Sequence, residues 1–260
     1  MTRGSTSSSP TRPHRTNINE PPNTFTSSRG HLVSSFLASP LSPSLADDAQ
    51  RIAPPDARYA GFNLLLLAAA PAHSSPSFSF DALFMTNRGG GGPISFRALT
   101  DAQRHRGGLS NGVDGDGADE WPKVQHGVRA LDALLGALPP DISADQLAER
   151  LFDLLTWVYD IRTYVGGAND SLNVGSCMHR WRSSQPPRDR SESRNAIQVD
   201  PLHDANGYYG TRLSTVVLVK RSGEVVFTER DRWNLTAQGR PILADPSSQR
   251  VFRFKMECSE

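Results

Sequence analysis

The chain has 260 residues, a formal net charge of +1 and a hydrophobic fraction of 37%. So even a charge balance excludes a bulk electrostatic pull toward nucleic acid or an acidic membrane surface. The low apolar fraction, with 19 Pro, 21 Gly and Ser-rich tracts, predicts globular segments separated by unstructured ones, in one or two domains. Cys177 and Cys258 form no CxxC pair and no zinc spacing, which fits a reducing compartment. No apolar run approaches the ~18–20 residues of a transmembrane helix; Leu64 to Ala70 is too short and stops at Pro71.

Residues 1–15 offer Ser, Thr, Arg and Pro with almost nothing to bury, which predicts a disordered tail. Ser28 is placed to cap a short helix carrying Leu32, Val33, Phe36 and Leu37. Ser42-Pro43 reads as a second N-cap, with Leu45, Ala49 and Ile52 sharing a face until Pro54-Pro55. Tyr59 to Leu67 and Phe78 to Thr86 read as buried strands. The run Asn87-Arg88-Gly89-Gly90-Gly91-Gly92-Pro93 follows. Its glycines can approach a ligand backbone-first or simply turn the chain. A phosphate-loop reading fails, because no Gly-Lys-Ser/Thr follows. Asn111 to Glu120 is acidic and turn-rich, but Ala118 stands where a calcium loop of this spacing needs Asp or Asn.

Pro122 opens a helix striped by Val128, Leu131, Leu134, Leu135 and Leu138 and closed by Pro139-Pro140. Ser143-Ala144-Asp145-Gln146 is a capping box for the next, striped by Leu147, Leu151, Leu154, Leu155 and Val158, with Trp157 and Ile161 beside it and Gly166-Gly167 at its end. Such stripes are core packing against a sheet. Residues 180–195 form a polar, Arg-rich insert expected to be disordered. Ala196 to Val199 suggests a short strand. Gly210 to Val219 and Glu224 to Arg230 flank Lys220-Arg221-Ser222-Gly223, a hairpin with a type I turn and a left-handed Gly. Val216 to Val219 is apolar on both faces, so the first strand is expected inside a covered sheet, and the second is expected to emerge toward solvent at Thr228-Glu229-Arg230. Arg212, just before the apolar run, is either a solvated strand end or a guanidinium aimed into a pocket. A last strand places Phe252, Phe254 and Met256 on one face. Strands, two consecutive helices, then antiparallel strands make an α+β pattern.

Tyr209-Gly210-Thr211-Arg212 through Val219, then Gly223 and Phe227-Thr228-Glu229-Arg230, resembles the C-terminal signature of the Transport and Golgi organization protein 2 family, also called the NRDE family. Further pieces resemble it in the right order: Thr16-Asn17-Ile18-Asn19-Glu20-Pro21, Ser28-Arg29-Gly30-His31-Leu32-Val33, Gly61-Phe62-Asn63-Leu64-Leu65, Thr86-Asn87-Arg88-Gly89-Gly90, Gly108-Leu109-Ser110-Asn111 and Trp121-Pro122-Lys123-Val124. The family's opening Met-Cys and its Asn-Arg-Asp-Glu motif have no counterpart in this sequence. The resemblance therefore implies a fold like that of N-terminal-nucleophile hydrolases, a sandwich of two antiparallel sheets flanked by helices, incomplete at its N-terminus. It implies one domain over residues 16–260.

In that fold an N-terminal Cys, Ser or Thr attacks an amide carbonyl, with its own amine as base. The resemblance makes Asn17 an oxyanion-type Asn, although Asn19 stands where the family has Arg. It makes Asn111 a second pocket Asn and Arg212 the cation near the nucleophile. Arg88, at the head of the glycine run, is the fourth candidate for a ligand pocket. No catalytic or metal-binding residue is assigned; Cys177, with His179 two positions on, reads as a buried thiol beside a surface imidazole. The expectation is a non-enzymatic protein of Golgi organisation and secretion. The resemblance implies handling of haem, as a transported ligand and not a cofactor, or of a lipid metabolite, through a small anionic group. It implies a cytoplasmic, Golgi-associated or mitochondrial setting. The alternatives are a truncated or decayed cysteine amidohydrolase and an interaction module using the Arg-rich insert.

Overall fold

The computed structural model describes residues 25, 27–40, 42, 44–54, 56–70, 78–158, 194–205 and 207–256. The expected tail, residues 1–15, and most of the expected insert, residues 180–193, lie outside them, as do Cys177 and Gly166-Gly167. Helices and antiparallel sheets alternate along the chain, so the class is α+β. Two compact units divide it: one from Met1–Leu66, Leu83–Arg97 and Ser110–Ala118, the other from Leu67–Ala82, Ala98–Leu109 and Asp119–Glu260.

In the first unit, α1 (Arg29–Ala38) starts at Ser28, whose hydroxyl accepts from the Gly30 N–H at 3.3 Å. Next comes α2 (Leu45–Ile52). Its N-cap is Ser44, not Ser42. Ser42 is drawn away: its N–H bonds the buried Asp48 carboxylate, and its hydroxyl donates to the Ser44 carbonyl at 2.7 Å. Leu32, Phe36, Ala49, Ile52, Tyr59, Phe62, Leu66 and Met85 form the core. A three-stranded sheet runs in the order β1 (Asn63–Ala69), β2 (Phe80–Thr86), β3 (Ser95–Ala98), with Asn63–Leu66, Leu83–Thr86 and Ser95–Arg97 belonging to this unit. β1 begins four residues later than the apolar run suggested, because Tyr59, Ala60 and Phe62 give their backbone groups to the Asn87 side chain instead of a ladder.

The second unit holds α3 (Asp101–Arg106), α4 (Pro122–Gly136) and α5 (Ala144–Leu154). Both α3 and α5 start on full capping boxes, Thr100 with Gln103 and Ser143 with Gln146. The helix expected to run on past Val158 ends at Leu154, where Thr156 folds its hydroxyl onto the Asp153 carbonyl at 2.6 Å. Residues 196–199 are not a strand. Their amides are taken elsewhere: Ile197 and Gln198 donate to the Trp157 carbonyl, and Val199 donates to the Thr211 hydroxyl. Two small hairpins were not anticipated, β4 (Leu202–Asp204) with β5 (Gly207–Tyr209), and β8 (Trp233–Leu235) with β9 (Pro241–Leu243).

The main sheet of this unit is β10 (Arg250–Lys255), β7 (Glu224–Asp231), β6 (Leu213–Val219), antiparallel throughout. The turn is as expected: the Gly223 N–H returns to the Lys220 carbonyl at 2.9 Å and Gly223 has φ +84°. The placement of the strands is not. Among the described residues β7 is central and β6 is an edge, with Val217 53% exposed and Val219 37% exposed. Only the Val216 and Leu218 face packs on α5, through Ala148, Leu151, Phe152 and Leu155. β7 does not emerge toward solvent at its end either, since Thr228 and Arg230 are buried. Phe252 and Phe254 share a face as expected, and both are exposed.

Candidate functional site

The first unit concentrates its buried polar side chains at the end of β2. Asn87 is fully buried, and both ends of its carboxamide are used. Its Oδ1 accepts from the Phe62 N–H at 2.9 Å, and its Nδ2 donates to the Tyr59 and Ala60 carbonyls at 3.0 and 3.1 Å. A short polar side chain thereby replaces the missing ladder bonds of a buried turn. Burial, with Asp56 adding to it, raises the pKa of the Tyr59 phenol.

The glycine run leaves from this frame. Arg88 has φ +50°, and Gly89, Gly90 and Gly91 have φ +97°, +100° and +64°. Four left-handed residues in a row need glycine at most positions, and Arg88 is held there against its Cβ. At Gly92 a Cβ would lie 2.7 Å from the Asn87 carbonyl oxygen, so the loop also closes too tightly for a side chain. The Gly91 N–H donates to the Tyr59 carbonyl at 2.9 Å, and the Arg88 N–H to the Thr86 hydroxyl oxygen at 3.3 Å. The Arg88 side chain is exposed.

A second loop, Ser110 to Asp114, lies against the first. A Cβ on Gly89 would meet the Val113 side chain at 3.4 Å. Asn63 ties the two together: its Nδ2 donates to the Ser110 and Gly112 carbonyls at 2.7 and 2.8 Å, and its Oδ1 accepts from the Thr86 hydroxyl at 2.9 Å. Asn111 rides on this loop, its Oδ1 accepting from the Ser110 hydroxyl at 3.0 Å. The far end is fixed by Arg97, which grips Asp114 with two bonds of 2.8 and 3.1 Å and lies 4.9 Å over the Phe84 ring. That hydrogen-bonded grip raises the pKa of the Arg97 guanidinium, against the opposing effect of its burial. Asp114 is thus committed to an ion pair, and no group of His, Cys, Asp and Glu able to hold a metal occurs among the described residues.

Of the four residues singled out by sequence, Arg88 and Asn111 belong to these two adjoining loops. Asn17 lies outside the described residues. Arg212 belongs to the second unit, where its side chain is exposed and its carbonyl accepts from the Arg232 and Trp233 amides. Sequence reasoning passed over Asn63, Thr86 and Asn87, although all three fall inside matched motifs. Residues 14–234 match the profile of the family described as Transport and Golgi organisation 2. The chain belongs to that family. No curated protein and no solved structure matches it.

Membership places the Gly61-Phe62-Asn63, Thr86-Asn87-Arg88-Gly89 and Leu109-Ser110-Asn111 pieces within the Transport and Golgi organisation 2 match, and all three converge on this one corner. No helix among the described residues is long and apolar enough to cross a membrane. The second unit has its own buried polar cluster. Arg230 lies over the Phe152 ring at 4.1 Å, and Arg232 reaches the Phe152 carbonyl at 2.9 Å and the Ser214 hydroxyl at 3.0 Å. Arg230 bonds Gln249 at 2.7 Å and pairs with Glu149. Burial, then the neighbouring Arg230, lowers the pKa of Arg232. This cluster clamps α5 to the sheet.

Proposed function

We propose that this chain serves Golgi organisation and secretion as a non-enzymatic member of its family, by holding a small anionic ligand at the Arg88 loop. The ligand class we favour is a haem propionate or the acidic group of a lipid metabolite. The observation that carries the reading is the exposed Arg88 guanidinium on a backbone locked from beneath by Thr86, Asn87 and Asn63. A guanidinium on a rigid left-handed residue presents paired donors to a carboxylate with the backbone already ordered, so that only the side-chain rotamers have to be fixed on binding. The neighbouring groups are carboxamides, hydroxyls and backbone amides, which suit holding a ligand better than moving a proton. We further propose the N-terminal-nucleophile-hydrolase type of sandwich as the fold of the whole chain and a cytoplasmic, Golgi-associated setting; the α+β class and the family support the first, and the family's description supports the Golgi link of the second.

The test is titration of the protein with hemin, followed by its Soret absorbance, and with a long-chain fatty carboxylate by calorimetry. Saturable binding of one of them is expected. Arg88→Ala should weaken it about tenfold to a hundredfold, the equivalent of one charge-assisted hydrogen bond of about 1.5–3 kcal/mol. Failure of both ligands to bind, or turnover of a simple acyl-amide by the protein, would overturn the proposal.

A further inference from the structure

Two loops far apart in sequence meet at a single carboxamide. The orientation of Asn63 is fixed by its partners. Its nitrogen faces two carbonyl oxygens, which can only accept, and its oxygen faces the Thr86 hydroxyl, which can donate. The same hydroxyl oxygen takes the Arg88 N–H. A continuous path therefore runs from the Ser110 and Gly112 carbonyls through Asn63 and Thr86 to the backbone of Arg88. The Thr86 hydroxyl also lies 3.1 Å from the Phe62 carbonyl, so its one proton is shared within the start of β1. Asn63 itself is half-buried and stands on the first residue of β1. A strand end is a stiffer base than either loop, because its backbone is already held in a sheet.

We infer that Asn63 is a positioning residue, which locks the Arg88 loop and the Asn111 loop into one ligand-binding unit. This rests on the reading that Arg88 receives the ligand. Asn63 does not touch the ligand in this scheme. It fixes the Thr86 hydroxyl, which holds Arg88 in its left-handed conformation, and it fixes the two carbonyls that flank Asn111. Loss of its two donors releases the second loop, and loss of its acceptor leaves the Thr86 hydroxyl with the Phe62 carbonyl as its remaining acceptor, which weakens its hold on Arg88. An anion seated on Arg88 therefore orders both loops together.

The experiment combines backbone amide exchange with hemin binding for Asn63→Ala, which removes both donors and the acceptor without adding a charge. Thr86→Val breaks the path at its other link, and Thr86→Ser is the conservative control. Asn63→Ala should speed exchange in residues 88–92 and 110–114 together, with α1 and α2 unchanged. Hemin affinity should drop about tenfold in Asn63→Ala and in Thr86→Val, as for a lost hydrogen bond, and Thr86→Ser should restore it. In an Arg88→Ala background Asn63→Ala should cost no further affinity, a non-additivity that general destabilisation does not produce. Loosening of one loop only in Asn63→Ala, or an undiminished Asn63→Ala effect without Arg88, would overturn the inference. If the wild-type protein binds no hemin yet both loops loosen together, the coupling stands and the ligand reading falls.

Discussion

Arg230 lies over Phe152, its guanidinium carbon 4.1 Å from the centroid of a helix side-chain ring with no solvent exposure. The contact joins α5 to β7. A cation on a desolvated aromatic face contributes on the order of 2 kcal/mol, more than at an exposed site. Phe152→Ala should therefore cost about 3–5 kcal/mol, the range for emptying a buried aromatic site. Arg230→Lys keeps the charge but loses the guanidinium plane, whose Nη2 donates to both Glu149 and Gln249. Urea unfolding of both single variants and the double variant should show a coupling of about 0.5–2 kcal/mol. Additive effects would mean that the two side chains contribute independently.

Gly223 and Gly239 both turn hairpins with positive φ, +84° and +73°. They differ in what surrounds them. A methyl on Gly223 would lie 2.9 Å from the Met256 carbonyl oxygen and 3.4 Å from the Phe78 ring, whereas nothing stands within 4 Å at Gly239. Gly239→Ala should cost only the left-handed penalty, about 1 kcal/mol. Gly223→Ala adds a clash with backbone that is itself bonded, since the Met256 N–H donates to the Gly223 carbonyl at 2.9 Å. It should cost about 2–3 kcal/mol. Equal losses in thermal unfolding would refute the distinction.

The helices and the main turn were legible because their signals are local. Ser143 with Gln146, the apolar stripe of α5 and the Gly223 turn each specify a conformation within a few residues. The Thr100-Gln103 box of α3 carried the same signal and was overlooked. The position of β6 was not legible. An apolar run such as Val216 to Val219 reads identically at a sheet edge and at its centre, and only pairing decides between them. Arg230 misled for a similar reason, since its burial depends on Phe152, which lies far away in the chain. At the candidate site Arg88 was legible from its glycines. Asn63 and Asn87 were not, because a carboxamide in a buried segment has no periodic signature, and its partners lie 23–49 residues away.

His126 stacks on Trp157, with ring centroids 3.9 Å apart and planes 10° apart. Burial first, and the Arg129 charge second, lower its pKa below the ordinary 6.5. The neutral imidazole is therefore favoured by folding. Below pH 6.5 the unfolded chain takes up a proton that the folded chain resists, so stability should fall as pH drops from 6.5 to the folded value. His126→Gln should flatten that slope. Trp157 emission, isolated by comparison with Trp157→Phe, should quench with a midpoint below 6.5. A midpoint at or above that value would show that the ring is not desolvated.

Asn87 offers the sharpest test of the frame beneath Arg88. Its carboxamide accepts one backbone bond and donates two, in full burial. Asn87→Asp is isosteric, keeps the acceptor for Phe62 and loses both donors. The new carboxylate would face the Tyr59 and Ala60 carbonyls, so folding should disfavour its charged form and raise its pKa. The unfolded chain releases that proton near pH ~4, while the folded chain holds it to a higher pH. Stability should therefore decline as pH rises through that window, and recover in acid as the protonated form regains one donor. At pH ~7 the loss should reach about 3–5 kcal/mol, as for an uncompensated buried charge. The difference in urea midpoint from the wild type should shrink steadily toward pH ~4. Asn87→Ala, which cannot titrate, should show a loss that does not vary over the same range. A pH-independent loss for Asn87→Asp would mean that the turn opens to water, and that Arg88 does not rest on a rigid base.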